Sequence, residues 1–441
     1  MKNTTNLMQG DCLEKLKDLA DNSVDSIVTD PPAGISFLGK IWDSDKGGRD
    51  HWIAWKCEIA KECLRVLKPG GHALVWALPR TAHWTTTAWE NAGFEVRDIL
   101  AHIFSTGFPK SHNIGKSVEK LQGNEREDLG KYIAPDGKDR GGVPNKQMDI
   151  ANYKAGDRSE SKVTKGNSPF EGWGTGLKPA REDYILLRKP FKGTVASNVL
   201  EWGTGGINID KSRVEATAED MGDWDRFQGH QNKNTIRKNM LEFRDANFEG
   251  RIDNGVNPQG RFPANIIHDG SEEVLAVFPD SKGFYRPNIK NKSYAGATFG
   301  GGQVSQQYND QGSASRFFYC AKPSKSERNT GLEGFEEKRS GSMVGNVNDG
   351  NFLTGSGNPR EGTNANFHPT VKAIKLMSYL CNLITPPKGI ILDPFMGSGS
   401  TGVSAVTEGF HFIGIELDKD YFEIAKARIE NAKLLNSKYI I

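Results

Sequence analysis

The chain has 441 residues and a formal net charge of +2, so it is long enough for one large domain or several ordinary ones and is not strongly basic as a whole. Hydrophobic residues make up 36% and glycine contributes 50 residues, which indicates a normal core interrupted by polar, loop-rich segments. No apolar stretch reaches the roughly 18 residues of a membrane span and no signal-peptide core follows Met1, so we expect a cytoplasmic protein without membrane contact. The five cysteines contain no CxxC pair, so we expect reduced thiols and no metal site.

The first part of the chain, residues 1–110, alternates strand-like with helix-like patterns of apolar residues. In chain order the predicted elements are a strand over 26–29, a helix over 52–67 that stops at Pro69-Gly70-Gly71, a strand over 72–77 and a helix over 82–92. Strands that alternate with helices favour a parallel α/β sheet.

The middle of the chain, residues 111–365, is rich in Gly, Asn, Lys, Ser and Asp. Its short runs with strand character are 184–187, 264–267 and 316–319, and its predicted long loops are 136–168 and 286–314. The last part returns to an α/β pattern, with a helix over 371–384, a strand over 389–392, a helix of small residues, a strand over 412–415 and a helix over 419–434. These patterns predict one doubly wound α/β domain assembled from both ends of the chain.

A glycine-rich turn follows the predicted strand at 389–392. A buried strand, then Gly397-Ser398-Gly399, then a helix is an arrangement that brings backbone close to a ligand. Glu416 stands at the end of the next strand, where an acidic residue binds ribose hydroxyls in doubly wound folds. Because Asp393 opens the turn and no lysine lies in it, a cationic, phosphate-free nucleoside suits the site better than NAD or ATP.

The tripeptide Asp30-Pro31-Pro32 follows the predicted strand at 26–29. An exocyclic amine on a base is a poor nucleophile, because its lone pair is delocalised into the ring. An aspartate that accepts one N–H, and a backbone carbonyl that accepts the other, would turn that lone pair towards an electrophilic methyl group by orientation and electrostatics alone. The prolines would fix the backbone that presents this carbonyl.

Five motifs then occur in one order along the chain. They are Gly10-Asp11-Cys12-Leu13, the strand that ends at Asp30-Pro31-Pro32, the segment Val66–Gly71, His368-Pro369-Thr370-Val371-Lys372, and the segment Leu392–Thr401. This set resembles the S-adenosylmethionine-dependent amino-methylating DNA methyltransferases of the β arrangement, in which the catalytic motif precedes the cofactor motif. The resemblance is strong over about 1–110 and 366–441. The segments Trp173–Pro179 and Phe318–Lys322 more loosely resemble members that are common in phages and prophages.

The resemblance implies a role for each matching residue. The S-adenosylmethionine pocket would be lined by Asp393, Phe395, Gly397, Ser398 and Gly399, with Glu416 on the ribose hydroxyls and Asp11 near the cofactor adenine. His368, Pro369 and Thr370 would contact the methionine end of the cofactor, with Lys372 beside them. The catalytic residues would be Asp30, Pro31, Pro32 and a stacking ring.

One position departs from the family pattern. The family usually has an aromatic residue after Asp-Pro-Pro, which stacks on the flipped base, and this chain has Ala33. Phe37 and Trp42 are the nearest rings, and we take Phe37 as the candidate replacement. Gly34 and Gly39 would let this loop fold inwards.

The resemblance further implies a Rossmann-like methyltransferase domain with a long target-recognition insert. Its catalytic half would be 1–110, its insert 111–315, with 180–190 as a candidate core strand, and its cofactor half 316–441. We expect adenine N6 in double-stranded DNA as the target, because Asp opens the catalytic motif. The resemblance is also consistent with a homodimer, with a bacterial host cell and with a phage or prophage origin. The residues leave open three alternatives: methylation of cytosine N4, methylation of an RNA or protein amine, and an inactive remnant that binds DNA or cofactor.

Overall fold

The computed structural model describes residues 4–37, 41–107, 111–131, 162–215, 260–281, 312–322, 326–338 and 364–438. Most of the predicted loops 136–168 and 286–314 lies outside these residues. Within the described ends of those two segments the loop prediction was wrong, because Lys162–Lys165 and Gly312–Ser313 form strands.

The described helices are α1 Cys12–Leu16, α2 Arg49–Val66, α3 Ala82–Asn91, α4 Ile114–Gln122, α5 Val195–Trp202, α6 Glu272–Leu275, α7 Ile374–Ile384, α8 Ser400–Thr407 and α9 Lys419–Lys438. The described strands are β1 Thr5–Gln9, β2 Val24–Thr29, β3 Leu67–Ala77, β4 Glu95–Ile103, β5 Glu127–Lys131, β6 Lys162–Lys165, β7 Arg181–Arg188, β8 Ile266–His268, β9 Asp280–Ser281, β10 Gly312–Ser313, β11 Tyr319–Cys320, β12 Ile390–Asp393 and β13 His411–Glu416. Among these helices none is long and apolar enough to cross a membrane.

Nine strands form one sheet in the order β1-β13-β12-β2-β3-β7-β4-β8-β11. All neighbours are parallel except β7, which runs antiparallel to both β3 and β4. From β12 the chain proceeds to β13 on one side, and from β2 it proceeds to β3 on the other side, so the strand order reverses between β12 and β2. This topology confirms the doubly wound α/β fold, and the reversal is the place where such folds bind ligands.

The sheet is covered on both faces. Consecutive residues of a strand point to opposite faces. In β2, Ile27 belongs to a core cluster with α2 and α3, whereas Val28 belongs to a second cluster with α7, α8 and α9. In β12, Ile391 and Leu392 divide between the same two clusters. Both β2 and β12 are therefore buried on both sides, which explains why consecutive residues are apolar at Ile27-Val28 and at Ile391-Leu392.

Two local predictions differ from the structure. Helix α2 ends at Val66, before Pro69-Gly70-Gly71 as predicted, but the strand predicted over 72–77 begins earlier, at Leu67, because Leu67 pairs with Val24 of β2. The run 316–319 is not one strand, since Ala314–Phe317 forms a 3₁₀ turn before the short strand β11.

Candidate active site

The two predicted motifs meet where the strand order reverses. Asp30 follows β2 and Asp393 ends β12, the neighbouring parallel strand. The hydroxyl of Thr29 donates a hydrogen bond to Asp393 Oδ1 at 2.6 Å, so the two strand ends are joined directly. Both aspartates line one cavity of about 1750 Å³.

The turn after β12 is tightly constrained. The Phe395 N–H donates to Asp393 Oδ1 at 3.1 Å, and the Gly397 N–H donates to Glu416 Oε2 at 2.7 Å. Gly397 has a φ of +54°, and a Cβ on it would lie 3.0 Å from His368 Nε2. A side chain here would therefore strain the backbone and press on the histidine ring.

The two remaining residues of the glycine-rich turn differ in position. Ser398 lines the cavity, and its Oγ accepts a hydrogen bond from the buried Arg428 guanidinium at 3.2 Å. Gly399 does not line the cavity. It has a φ of +81°, and a Cβ on it would lie 3.0 Å from the Cα of Ala425 in α9, so this glycine allows α8 and α9 to pack closely.

A second segment closes the same side of the cavity. Arg328 donates from Nε to the Asn366 carbonyl at 2.9 Å and from Nη2 to the His368 carbonyl at 2.7 Å. The His368 ring meets the Tyr421 ring edge-on, with centroids 4.5 Å apart. The cavity is also lined by Pro369, Thr370 and Asp11. The sequence did not point to Tyr421, and it suggested Arg328 only as part of a segment, 322–328, that could contact phosphates or form a solvated turn.

Burial perturbs the acids on this side. It raises the pKa of Asp393 to about 6, although hydrogen bonds from Thr29 and Thr401 act in the other direction. Burial also raises the pKa of Glu416 to about 7. A cation placed beside these carboxylates would favour their ionised forms, so this side of the cavity is electrostatically suited to a positively charged ligand.

The loop after Asp30 is organised by a residue that the sequence analysis missed. Asp43 is buried, and its carboxylate accepts four backbone N–H groups, from Ala33, Gly34, Ile35 and Phe37. A carboxylate that accepts so many backbone donors fixes the course of the loop. No motif flanks this residue, so its role could be found only in three dimensions.

The position of the missing family aromatic is filled by small residues. Ala33 is buried, and Gly34 has a φ of +73° with its Cα facing Trp52, whose Nε1 would lie only 2.4 Å from an added Cβ. Phe37 and Trp42 both line the cavity, as does Trp76 of β3. These three rings are among the aromatic residues of the cavity lining.

Asp30 lies in a charged cluster. Lys372 Nζ is 3.4 Å from Asp30 Oδ2 and 3.3 Å from Glu182 Oε2, so Lys372 lies beside the Asp-Pro-Pro loop. The contact with the methionine end of the cofactor that the resemblance implies for this residue stays a prediction. Burial raises the pKa of Asp30 to about 7, with Lys372 lowering it and Glu182 and Asp393 raising it. Burial also raises the pKa of Glu182, but Lys372 and His102 outweigh burial and bring it down to about 2.

A buried lysine lies behind the Asp-Pro-Pro loop. Lys56 donates from Nζ to the Pro32 carbonyl at 3.2 Å. The ammonium lies 4.8 Å from the centroid of the Trp52 ring and 5.0 Å from that of Phe395. Burial lowers its pKa to about 7. Lys56 therefore links the Asp-Pro-Pro loop to the turn after β12 from inside the core.

In the part of the chain that the structure describes, no group of three or more His, Cys, Asp and Glu residues could hold a metal ion.

Comparisons with known proteins bear on this site. Type II methyltransferase M.BamHI of Bacillus amyloliquefaciens is 39% identical over 105 residues, which cover 23% of this chain and 24% of that protein. Type II methyltransferase M2.DpnII of Streptococcus pneumoniae is 26% identical over 255 residues, covering 58% of this chain and 84% of the relative. The crystal structure of TTHA0409 of Thermus thermophilus, complexed with S-adenosyl-L-methionine, aligns over 97% of this chain and 94% of its own at 13% identity, with a TM-score of 0.38.

The model of the N6/N4 DNA methylase family matches residues 24–427, a range that contains both the Asp-Pro-Pro loop and the turn after β12. The chain belongs to this DNA methylase family.

Proposed function

We propose that the chain transfers a methyl group from S-adenosylmethionine to N6 of adenine in double-stranded DNA, after the base has flipped out of the helix. The observation that carries this proposal is the junction of Asp30 and Asp393 at the ends of neighbouring strands, in one cavity, through Thr29. One carboxylate is then available to the target amine and the other to the cofactor.

The residues on the β12 side fit a cationic nucleoside without phosphates. The turn from Asp393 to Gly402 contains no lysine or arginine, and the buried Asp393 and the half-buried Glu416 line the cavity there. S-adenosylmethionine would be held by these two acids, by Phe395, Gly397 and Ser398 from the turn, and by Asp11, His368, Pro369 and Thr370 from the surrounding segments. Gly399 would contribute by letting α8 approach α9.

When bound, S-adenosylmethionine supplies a methyl group made electrophilic by the sulfonium. The protein supplies orientation. Asp30 and the Pro31 carbonyl each accept one N–H of the target amine, which directs the nitrogen lone pair away from the ring and towards the methyl group. Pro32 is held by Lys56 and the loop by Asp43, so these acceptors are in place before the base arrives.

We propose that the ring of Phe37 stacks on the flipped base. It would replace the aromatic residue that the family usually has at the position of Ala33. Its backbone N–H donates to Asp43 Oδ2 at 2.8 Å, which ties its position to the organised loop. Stacking on an aromatic ring compensates part of the cost of leaving the duplex stack.

DNA would approach the cavity over a basic rim. Arg80, Lys178 and Arg181 are exposed and line the cavity. Exposed cations at the mouth of a base pocket are suited to phosphate contacts. We propose that 111–315 supplies target recognition between the catalytic half, 1–110, and the cofactor half, 316–441. The homodimer and the phage or prophage origin that the resemblance implies stay predictions.

Adenine is proposed over cytosine because Asp30 opens the catalytic motif, and in the family Asp accompanies adenine more often than Ser does. Cytosine N4 remains the second candidate, since its amine can meet the same two acceptors. The remaining alternatives, an RNA or protein amine and an inactive remnant, predict no transfer to duplex DNA.

The test is methyl transfer by the purified protein. Radiolabelled S-adenosylmethionine and duplex DNA are incubated with the wild type, with Asp30→Asn and with Asp50→Asn, a control whose side chain is 86% exposed. After digestion to nucleosides, we expect N6-methyladenine from the wild type and the control and none from Asp30→Asn. N4-methylcytosine would move the target to the second candidate, and wild-type product on RNA or protein alone would refute the DNA proposal.

A further inference from the structure

Lys372 and Glu182, which lie beside Asp30, have no assigned role in the transfer itself. An ammonium has three N–H donors. Carboxylate oxygens of Asp30 and Glu182 lie 3.4 and 3.3 Å from Lys372 Nζ and can accept two of them. Lys372 also lines the cavity, so the third donor is available to a ligand there.

We propose that Asp30 and Lys372 together recognise the amidine edge of the flipped base, with Asp30 accepting the exocyclic N–H and Lys372 donating to the neighbouring ring nitrogen. This inference rests on the proposed function and deepens it. The ring nitrogen is N1 in adenine and N3 in cytosine, and in both bases it is an acceptor next to the amine. On the protein, the acceptor Asp30 Oδ2 and the donor Lys372 Nζ are only 3.4 Å apart. This spacing matches the base, where the amine donor and the ring-nitrogen acceptor are attached to the same carbon.

Glu182 holds Lys372 in this position. Only 11% of the Lys372 side chain is exposed, and its ammonium lies 4.2 Å from the centroid of the Trp76 ring. Glu182 stands in β7, next to β3 and β4, so the carboxylate is anchored in the sheet and not in a loop. A lysine restrained by two carboxylates and a ring loses little further side-chain entropy when a base binds, which favours recognition.

The arrangement also explains which bases would be refused. Guanine and thymine present a carbonyl oxygen where adenine and cytosine have the amine, and an N–H where these have the ring acceptor. Asp30 would then face a carbonyl oxygen, and Lys372 would face an N–H. Both contacts are repulsive in a buried site, where an unpaired polar group is costly.

The experiment uses base analogues in duplex oligonucleotides that contain the methylated site. For an adenine target, 1-deazaadenine replaces N1 by C–H and keeps the amine; for a cytosine target, 3-deazacytosine does the same at N3. Single-turnover transfer to the natural base and to the analogue is measured for the wild type, Lys372→Met and Lys375→Met. Lys375 is exposed in α7 and serves as the matched control.

We expect the wild type and Lys375→Met to be slower on the analogue by roughly 10- to 100-fold, the range for a hydrogen bond from a charged donor. Lys372→Met should be slow on both bases and should no longer distinguish them. Its affinity for S-adenosylmethionine, measured by calorimetry, should equal that of the wild type. A merely structural role for Lys372 would leave the discrimination between the bases intact.

Equal wild-type rates on the natural base and its analogue would overturn the inference and leave the proposed function standing. This comparison uses the wild type alone, so it does not depend on whether Lys372→Met folds. Discrimination that persists in Lys372→Met would overturn it as well. If the wild type transfers no methyl group to the natural duplex, the proposed function is refuted, and this inference is refuted with it.

Discussion

Replacing Asp393 by asparagine should stabilise the cofactor-free protein while weakening cofactor binding. Asp393 is 1% exposed, and its Oδ1 accepts hydrogen bonds from Thr29 and Phe395. An asparagine oxygen can accept the same two bonds, so the substitution removes the buried charge and keeps the local structure. The side chain is thus expected to serve ligand binding at a cost in stability.

The size of this cost follows from the pKa. Burial raises the pKa of Asp393 from 3.8 to about 6, and about two units at roughly 1.4 kcal/mol each correspond to about 3 kcal/mol. Between those pH values the native carboxyl keeps a proton that the unfolded chain has released, so the free energy of unfolding falls as pH rises through this window. The difference in the free energy of unfolding between Asp393→Asn and the wild type should therefore increase from about pH 4 and be constant above about pH 7.

Urea denaturation followed by tryptophan fluorescence at pH 4, 6 and 8 would measure the difference, with the exposed Asp50→Asn as control. Calorimetry should show S-adenosylmethionine binding weakened roughly tenfold or more, as expected when a charge-assisted hydrogen bond is lost. A variant that is no more stable than the wild type at pH 8, or whose advantage does not depend on pH, would refute the reasoning.

Three further outcomes are expected. Because burial raises the pKa of Asp30 to about 7 and the carboxylate form accepts the amine N–H, the single-turnover rate should fall as pH decreases below about 7. Since Lys372 lowers the pKa of Asp30, Lys372→Met should move this fall in rate to higher pH, and a pH–rate series at saturating cofactor checks both outcomes. Asp43→Ala, which removes the acceptor of four backbone N–H groups, should reduce the transfer rate far more than cofactor affinity, as rate assays and calorimetry on the same preparation would show. Phe37→Ala should weaken retention of the flipped base by about 1–3 kcal/mol, with Trp42→Ala less affected, and fluorescence of 2-aminopurine at the target position would compare them.

The strands that carry the site were predictable because each has a short, mainly apolar run just before an acid. Asp30, Asp393 and Glu416 follow such runs in β2, β12 and β13, and the fold brings these three strand ends to one edge. Periodicity and turn residues report on single segments, so they reveal these elements directly.

The supporting residues could not be predicted in the same way. Lys372 and Glu182 meet only because the antiparallel strand β7 enters the sheet beside β3, and no local pattern announces an ion pair between distant segments. Asp43 and Lys56 bind backbone groups of the loop that contains Asp-Pro-Pro. Because backbone groups are the same in every sequence, no pattern of side chains indicates these contacts. Gly399 matched the family motif by position, yet its contact with α9 depends on helix packing.

The most direct test of the central claim is the methylome of a methylation-deficient bacterial host that expresses the wild type or Asp30→Asn. The DNA is sequenced by a method that distinguishes N6-methyladenine from N4-methylcytosine. The account predicts N6-methyladenine at one sequence context with the wild type and none with the variant. Equal methylation by both proteins would contradict the role of Asp30, and an unmethylated genome in cells that contain folded wild-type protein would contradict the proposed activity on DNA.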